Sequence, residues 1–266
     1  MERLILVPCL LVFATGLAQN KEADYKSLRT GLVSKFQNAL PGKFGHAVKG
    51  VARNIVTDEK IMALTFDACG GPHGNGYDEE LIVWLRSQKI QATLFIGGLW
   101  IDAHPGILNE LAQDTLFEIE NHGLRHHPCS INGQSMYGIH GTQNAGQAVD
   151  EIELNARKIQ QITHRKPVFY RSATAASDEP CTEIARALGE RIISYDVLSG
   201  DAVAGTSTEE IVANIVKKAR PGSIVIMHMN HPEWNGYEAL REAIPQLQEM
   251  GYTFVKLLNR PLKGNH

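Results

Sequence analysis

The sequence predicts one α/β domain built on a parallel sheet. Three observations carry this. Apolar runs of strand length alternate with amphipathic segments of helix length from residue 61 to residue 257. No long polar linker interrupts them. Several of the apolar runs end in a lone polar residue, as parallel strands do where they deliver side chains to a shared carboxyl-end mouth. Alternation alone fits a closed barrel and an open doubly wound sheet equally well.

The elements follow in order. Residues 61–66 (IMALTF) form a short apolar strand. Residues 78–88 form a helix, because Leu81, Ile82, Trp84 and Leu85 fall on one face. Residues 92–96 are a strand, 104–113 a helix entered through Pro105, and 117–119 a brief strand. A glycine-rich loop covers 132–146, and Val149, Ile152, Ala156 and Ile159 then mark a long amphipathic helix. Residues 168–170 are a strand, 180–188 a helix and 192–197 a strand. Ser207-Thr208-Glu209-Glu210 has capping-box form and opens a helix to Ala219. Pro221-Gly222 turns the chain into a strand over 223–227. A helix over 237–250 carries Pro245 and ends at Gly251, before a last strand over 252–257. Residues 21–60 carry no interpretable motif beyond a helix around 25–38.

Composition narrows the class. The chain has 266 residues, 43% hydrophobic and 21% charged, with a net charge of −3. That is ordinary for a globular protein, and no cluster of Lys and Arg with interleaved aromatics points to nucleic acid. Met1-Glu2-Arg3, an apolar run over 4–13 and Gly16-Leu17-Ala18 read as a secretory leader over residues 1–18, cleaved after Ala18. The run is too short to span a bilayer, so no stable membrane insertion is expected after cleavage. The expected location is periplasmic or secreted. Residues 19–59 then form an N-terminal segment of unknown role, 60–258 the main domain and 259–266 a tail. Oligomeric state is not legible.

Cleavage leaves Cys69, Cys129 and Cys181, which suits one disulfide and one spare thiol in an oxidising compartment. All three follow predicted strands, so at least one pair is expected within bridging distance.

The polar residues that end the strands are Asp67, His122 with His126, Arg171, Asp201 and His228. Two histidines four apart can aim both imidazoles at one ion if their segment forms a helical turn, and imidazole suits zinc. The same pair could equally belong to a His-rich surface loop. His127 points elsewhere by spacing. Asp67, at the end of an otherwise apolar strand, suits a general base, a metal ligand or a helix cap. Arg171 suits a carboxylate partner. His228 follows four apolar residues and needs a partner where it is buried, and Asp201 is available to hold it protonated.

These motifs, in this order, resemble the polysaccharide deacetylases, the NodB-homology group also called carbohydrate esterase family 4. The resemblance runs from about Lys60 to Leu257. Thr65-Phe66-Asp67 resembles that family's Thr-Phe-Asp-Asp, and His122-Gly123-Leu124-Arg125-His126 its His-(Ser/Thr)-x-x-His. Phe169-Tyr170-Arg171 resembles its arginine segment, Tyr195 to Asp201 its aspartate motif and Ile226-Met227-His228 its Leu-x-His. Ala92-Thr93-Leu94-Phe95 and Gly251-Tyr252-Thr253-Phe254-Val255 resemble its connectors. The resemblance implies a distorted parallel (β/α) barrel of seven or eight strands. It implies metal-dependent hydrolysis of acetyl groups on an N-acetylated glycan such as peptidoglycan, with a divalent metal, zinc first, on His122 and His126. Asp67 would be the base, Arg171 its orienting partner, His228 the acid and Asp201 the residue that charges it.

Three departures stand out. Ala68 replaces the family's second aspartate, a metal ligand. Ser172-Ala173-Thr174 replaces its usual prolines, and Ala202 its tryptophan. Two histidines alone make a poor catalytic site. The third ligand could come from Cys69, His73 or Asp78, in the glycine-rich insertion, and a disulfide on Cys69 would count against that residue. Alternatively Asp67 itself ligates, or the protein is a catalytically silent glycan-binding module. An O-acetyl esterase on a polysaccharide is a further alternative, since the same chemistry cleaves esters.

Overall fold

A computed structural model describes residues 9–264, with side chains from residue 22 onward. Met1-Glu2-Arg3 and the start of the apolar run lie outside the described residues. The first described helix, Cys9–Phe36, continues through residue 18 and beyond. No helix among the described residues is long and apolar enough to cross a membrane.

The main sheet runs in the order Arg191–Ile192, Phe169–Tyr170, Phe117–Asn121, Ala92–Ile96, Ile61–Ala68 and Ser223–His228, all parallel. Thr253–Phe254 pairs in parallel with Ile61–Ala68, and Val197–Leu198 with Ser223–His228. The sheet curls until an isolated bridge joins Ile193 to Ala52, on the antiparallel strand Ala52–Ile55. The result is a distorted barrel, as the resemblance implied.

Strand alternation sorts the two faces of this barrel. Met62, Leu64, Phe66 and Ala68 pack outward with Leu81, Leu85, Leu240 and the other helix residues. Ala63, Phe95, Phe169, Ile193 and Ile224 pack inward. Thr65 and Asp67 share the parity of Ala63 and so face the barrel interior. Each fully buried Leu or Ile in the outer layer contributes roughly 1.5–3 kcal/mol.

Most predicted elements form within a residue or two of their expected ends. The strand Ala92–Ile96 and the capping box of Ser207 and Glu210 form as expected. Four differences stand out. The predicted strand over 192–197 breaks in two, because the Asp196 carboxylate captures the Ile224 N–H at 2.6 Å. The glycine-rich loop carries a small hairpin, Ser135–Met136 against Ile139–His140. A short helix, Gly98–Ala103, precedes the one entered at Pro105. The tail contributes the strand Leu262–Gly264, which pairs with Ala52–Ile55.

Residues 22–36 acquire a structural role. Leu32 and Phe36 pack on Ala148, Val149 and Ile152 of the helix Ala145–Thr163. On the same face Arg29 grips Asp150 through Nε at 2.6 Å and Nη2 at 3.0 Å, and Tyr25 also bonds that carboxylate.

Candidate active site

Asp67 reaches the mouth because its strand is eight residues long and fully buried, so the carboxylate arrives with only 2% of the residue exposed. A lone buried carboxylate would protonate, and burial does push Asp67 upward. Arg171 reverses this, and the net shift is below the usual carboxylate value. Arg171 is itself fully buried. Its Nη1 donates to Asp67 Oδ1 at 2.8 Å and to Thr65 Oγ1 at 2.9 Å. Nη2 donates to the Ser194 carbonyl at 3.2 Å, and the guanidinium lies 4.2 Å from the Phe95 ring centre. One cation is thereby fixed by a carboxylate, a hydroxyl, a carbonyl and an aromatic face.

His228 lies beside Asp67 on the adjacent strand, where the two are register partners. Its backbone N–H donates to Asp201 Oδ2 at 2.7 Å, and its Nδ1 lies 3.2 Å from Asp201 Oδ1. Burial disfavours the imidazolium, but Asp201 outweighs it and raises the pKa of His228 above its ordinary value. Ser199 Oγ donates to Asp201 at 2.9 Å and steadies it.

His122 and His126 come together with ring centres 5.1 Å apart, yet not on a helical turn. The segment bends instead, through left-handed backbone at Gly123 (φ 87°) and His126 (φ 60°). Glu151 makes the bend. Its carboxylate accepts the N–H groups of Arg125 at 3.0 Å and His127 at 3.1 Å. A Cβ on residue 123 would lie 2.5 Å from Glu151 Oε1, which explains why glycine stands where the family has Ser or Thr. Asn121 fixes the start of the bend by accepting from Gly123 N at 2.9 Å. His127 is turned away and bonds the His140 carbonyl at 2.9 Å.

The Arg171 carbonyl lies 2.8 Å from Nδ1 of His122. A carbonyl can only accept, so Nδ1 carries the proton and Nε2 keeps its lone pair. Burial lowers the pKa of His122, and with the neighbouring His122 it lowers that of His126 to about 3, so both imidazoles are neutral. Neutral imidazole is the metal-binding form.

The three candidates for a third ligand separate cleanly. Asp78 caps the helix Glu79–Ser87, accepting from Leu81 N at 2.9 Å. His73 is exposed on the cavity wall, outside the cluster. Cys69 alone joins His122 and His126, with one donor atom from each residue within 4.8 Å of the others. Cys129 is bonded to Cys181 with a Cα separation of 5.9 Å, as the cysteine placement predicted, and Cys69 is free. The donor set of one thiol and two neutral imidazoles fits a divalent transition metal. Ala68 is buried in the outer core layer and offers nothing to the cavity.

A cavity of about 640 Å³ opens over these residues. Tyr137, Tyr195, Leu198 and Trp234 form much of its wall. Ala202 and Trp234 line it together, so an aromatic is present although residue 202 lacks one. Trp234 stacks on His231, with ring centres 3.7 Å apart, and meets His228 edge-on at 5.4 Å. Single-residue patterns gave no signal for Glu151, Asn121, Ser199 or Trp234, because each acts on another motif across the fold.

Residues 54–193 match the family model described as polysaccharide deacetylase, and the chain belongs to that family, a family of hydrolases. Asp201 and His228 lie beyond the matched residues. Among curated relatives, the chain is 24% identical over 207 residues to the peptidoglycan-N-acetylglucosamine deacetylase of Bacillus cereus, covering 77% of this chain and 90% of that one. It is 26% identical over 201 residues to the peptidoglycan-N-acetylmuramic acid deacetylase PdaA of Bacillus subtilis, covering 74% and 70%. Among solved structures, that of Bacillus subtilis PdaA, a family 4 carbohydrate esterase, matches with a TM-score of 0.65 at 23% identity, over 78% of this chain and 83% of that one. A carbohydrate esterase family 4 pseudoenzyme from Bacillus anthracis matches with a TM-score of 0.63 at 22% identity, over 75% of this chain and 64% of that one. These structural likenesses show the fold.

Proposed function

We propose that the protein is a metal-dependent hydrolase that removes acetyl groups from an N-acetylated glycan, with peptidoglycan as the leading substrate class. The observation that carries this is the opposed pair of charges on neighbouring strands. Asp67 is held ionised by Arg171, and His228 is held protonated by Asp201. That is a base and an acid placed side by side, with environments that push their pKa values in opposite useful directions.

The residues divide the work as follows. A divalent ion, zinc in the first instance, held by His122 and His126 would supply Lewis acidity to the acetyl carbonyl and to the attacking water. Asp67 takes a proton from that water through Oδ2, since Oδ1 is committed to Arg171. Water oxygen bonds to the carbonyl carbon. His228 gives its Nε2 proton to the amide nitrogen as the C–N bond breaks, and acetate and a free amine leave. Arg171 keeps Asp67 ionised, and the buried mouth strengthens these charge interactions. The aromatic wall suits the flat apolar faces of sugar rings. Names of relatives that act on peptidoglycan N-acetyl groups support the substrate class.

We further propose that residues 1–18 direct the chain out of the cytoplasm. The Cys129–Cys181 bond favours this, because such bonds persist in oxidising compartments. Ala68 favours one other reading, a silent glycan-binding protein, for which glycan affinity would be indifferent to chelator.

Acetate release tests the proposal. N-acetylglucosamine oligomers, peptidoglycan fragments and acetylated xylan are incubated with the zinc- or cobalt-loaded protein. Release from the amides supports deacetylation, and release from xylan alone supports the esterase alternative. No release, or equal release by an Asp67→Ala variant, defeats the proposal.

A further inference from the structure

Cys69 stands 3.6 Å from Nε2 of His122, measured at Sγ. A tetrahedral zinc with sulfur at about 2.3 Å and imidazole nitrogen at about 2.0–2.1 Å holds those two donors about 3.6 Å apart. The observed separation is the one a shared ion would give, and it is equally that of the thiol S–H donating to the Nε2 lone pair, so the same geometry serves both.

Three further observations point the same way. Cys129 and Cys181 are consumed by their mutual bond, so Cys69 remains a thiol. The backbone after it is specialised: Gly70 sits at φ 83°, and a Cβ there would lie 2.2 Å from Trp100 N. Gly70 N also donates to the Gly74 carbonyl at 3.0 Å, which closes a tight loop immediately beyond Cys69. The loop thus holds residue 69 over the histidines, while Ala68 keeps its place in the outer core layer. Finally, His122 is oriented from behind by the Arg171 carbonyl, the outer-sphere hydrogen bond that metal-bound histidines commonly carry.

We infer that Cys69 is the third metal ligand, so that a thiolate one residue further along the chain takes the role of the carboxylate missing at Ala68. The inference rests on the metal-dependent reading above, but concerns binding and not turnover. Thiolate with two imidazoles selects softer ions, so zinc, cobalt and cadmium bind in preference to magnesium and manganese. Asp67 Oδ2 lies 3.9 Å from the same His122 Nε2, and with the thiolate as third ligand that oxygen is left to move protons.

The test uses the full mature chain and the metals themselves. Cobalt titration of the metal-free protein is followed in the near-ultraviolet, where thiolate-to-cobalt charge transfer absorbs. The wild type is expected to bind one cobalt per chain with that band, and zinc is expected to protect the Cys69 thiol from a thiol reagent until chelator is added. Cys69→Ala is expected to lose the band and to weaken zinc binding by more than the 10–100-fold typical of losing a supporting residue. Cys69→Asp is expected to recover binding without the band, which separates lost ligation from lost folding. Binding without the band, unchanged thiol reactivity under zinc, equal affinity in Cys69→Ala, or no metal binding at all each overturns the inference. A cobalt complex with the band but no acetate release leaves it standing and removes the hydrolase reading instead.

Discussion

Arg171 touches both halves of the site through different atoms. Its Nη1 holds Asp67 at 2.8 Å, and its own carbonyl holds Nδ1 of His122 at 2.8 Å. The carboxylate proposed to move the proton and the imidazole proposed to hold the metal are therefore set by one residue, at the end of the strand Phe169–Tyr170. Removing the guanidinium leaves Asp67 buried without its partner. Arg171→Ala is expected to cost about 3–5 kcal/mol in stability, the usual penalty for breaking a buried pair, and to abolish most activity. Urea melts of the metal-free protein check the first and acetate release the second. A loss below about 1 kcal/mol contradicts the account of the pair.

Glu151 acts on the two histidines of the proposed metal site only through backbone. Its carboxylate holds the N–H groups of Arg125 and His127, and so bends the chain that carries both histidines. Glu151→Ala is expected to weaken zinc affinity by about 10–100-fold. Glu151→Gln keeps one acceptor oxygen and is expected to restore a good part of it. Zinc titration of both variants is the measurement, and equal affinity in all three proteins contradicts the role.

Asp201 raises the pKa of His228, and the sign of its effect on rate follows. The acid form is needed, so the rate falls as pH rises through the pKa of His228. Asp201→Asn removes the main raising influence, so the alkaline limb of the pH–rate profile moves to lower pH. The pair's contribution to stability has the same sense. It is complete below the unfolded histidine value of about 6.5 and is lost as pH climbs through the raised folded value. A profile unmoved by Asp201→Asn removes His228 as the acid.

The Cys129–Cys181 bond closes a separation of 52 residues and ties the loop after the His122–His126 bend to the helix Glu179–Ala187. Cys129→Ser with Cys181→Ser is expected to cost about 2–4 kcal/mol. Zinc affinity is expected to hold, because neither cysteine joins the donor cluster. Thermal melts and zinc titration check the two halves separately.

The sequence was legible where function sits at strand ends. Asp67, Arg171, Asp201 and His228 could be picked out as polar residues following strands, and the fold brings them into contact as two pairs, while their roles came only from the family resemblance. The histidine pair was legible as a pair, but its geometry was not. Spacing of four suggests a helical turn, whereas Gly123 and the distant Glu151 impose a bend. The third ligand stayed open among Cys69, His73, Asp78 and Asp67 itself, because only the fold shows Asp78 capping a helix, His73 exposed and Cys69 clustered with the histidines. The role of residues 22–36 was hidden for the same reason: Arg29 and Leu32 meet partners more than a hundred residues away. The strands Ala52–Ile55 and Leu262–Gly264 are short and half polar, and exist because they pair with each other at the barrel edge.

The central claim is that Asp67 moves the proton in hydrolysis of an N-acetyl group. The most direct test is the rate of acetate release from peptidoglycan fragments by the zinc-loaded wild type and by Asp67→Asn, with zinc content measured in both. Loss of a general base costs about 10²–10⁴-fold. The account predicts a loss in that range, with zinc still bound through Cys69, His122 and His126. Equal rates at equal zinc content would contradict it.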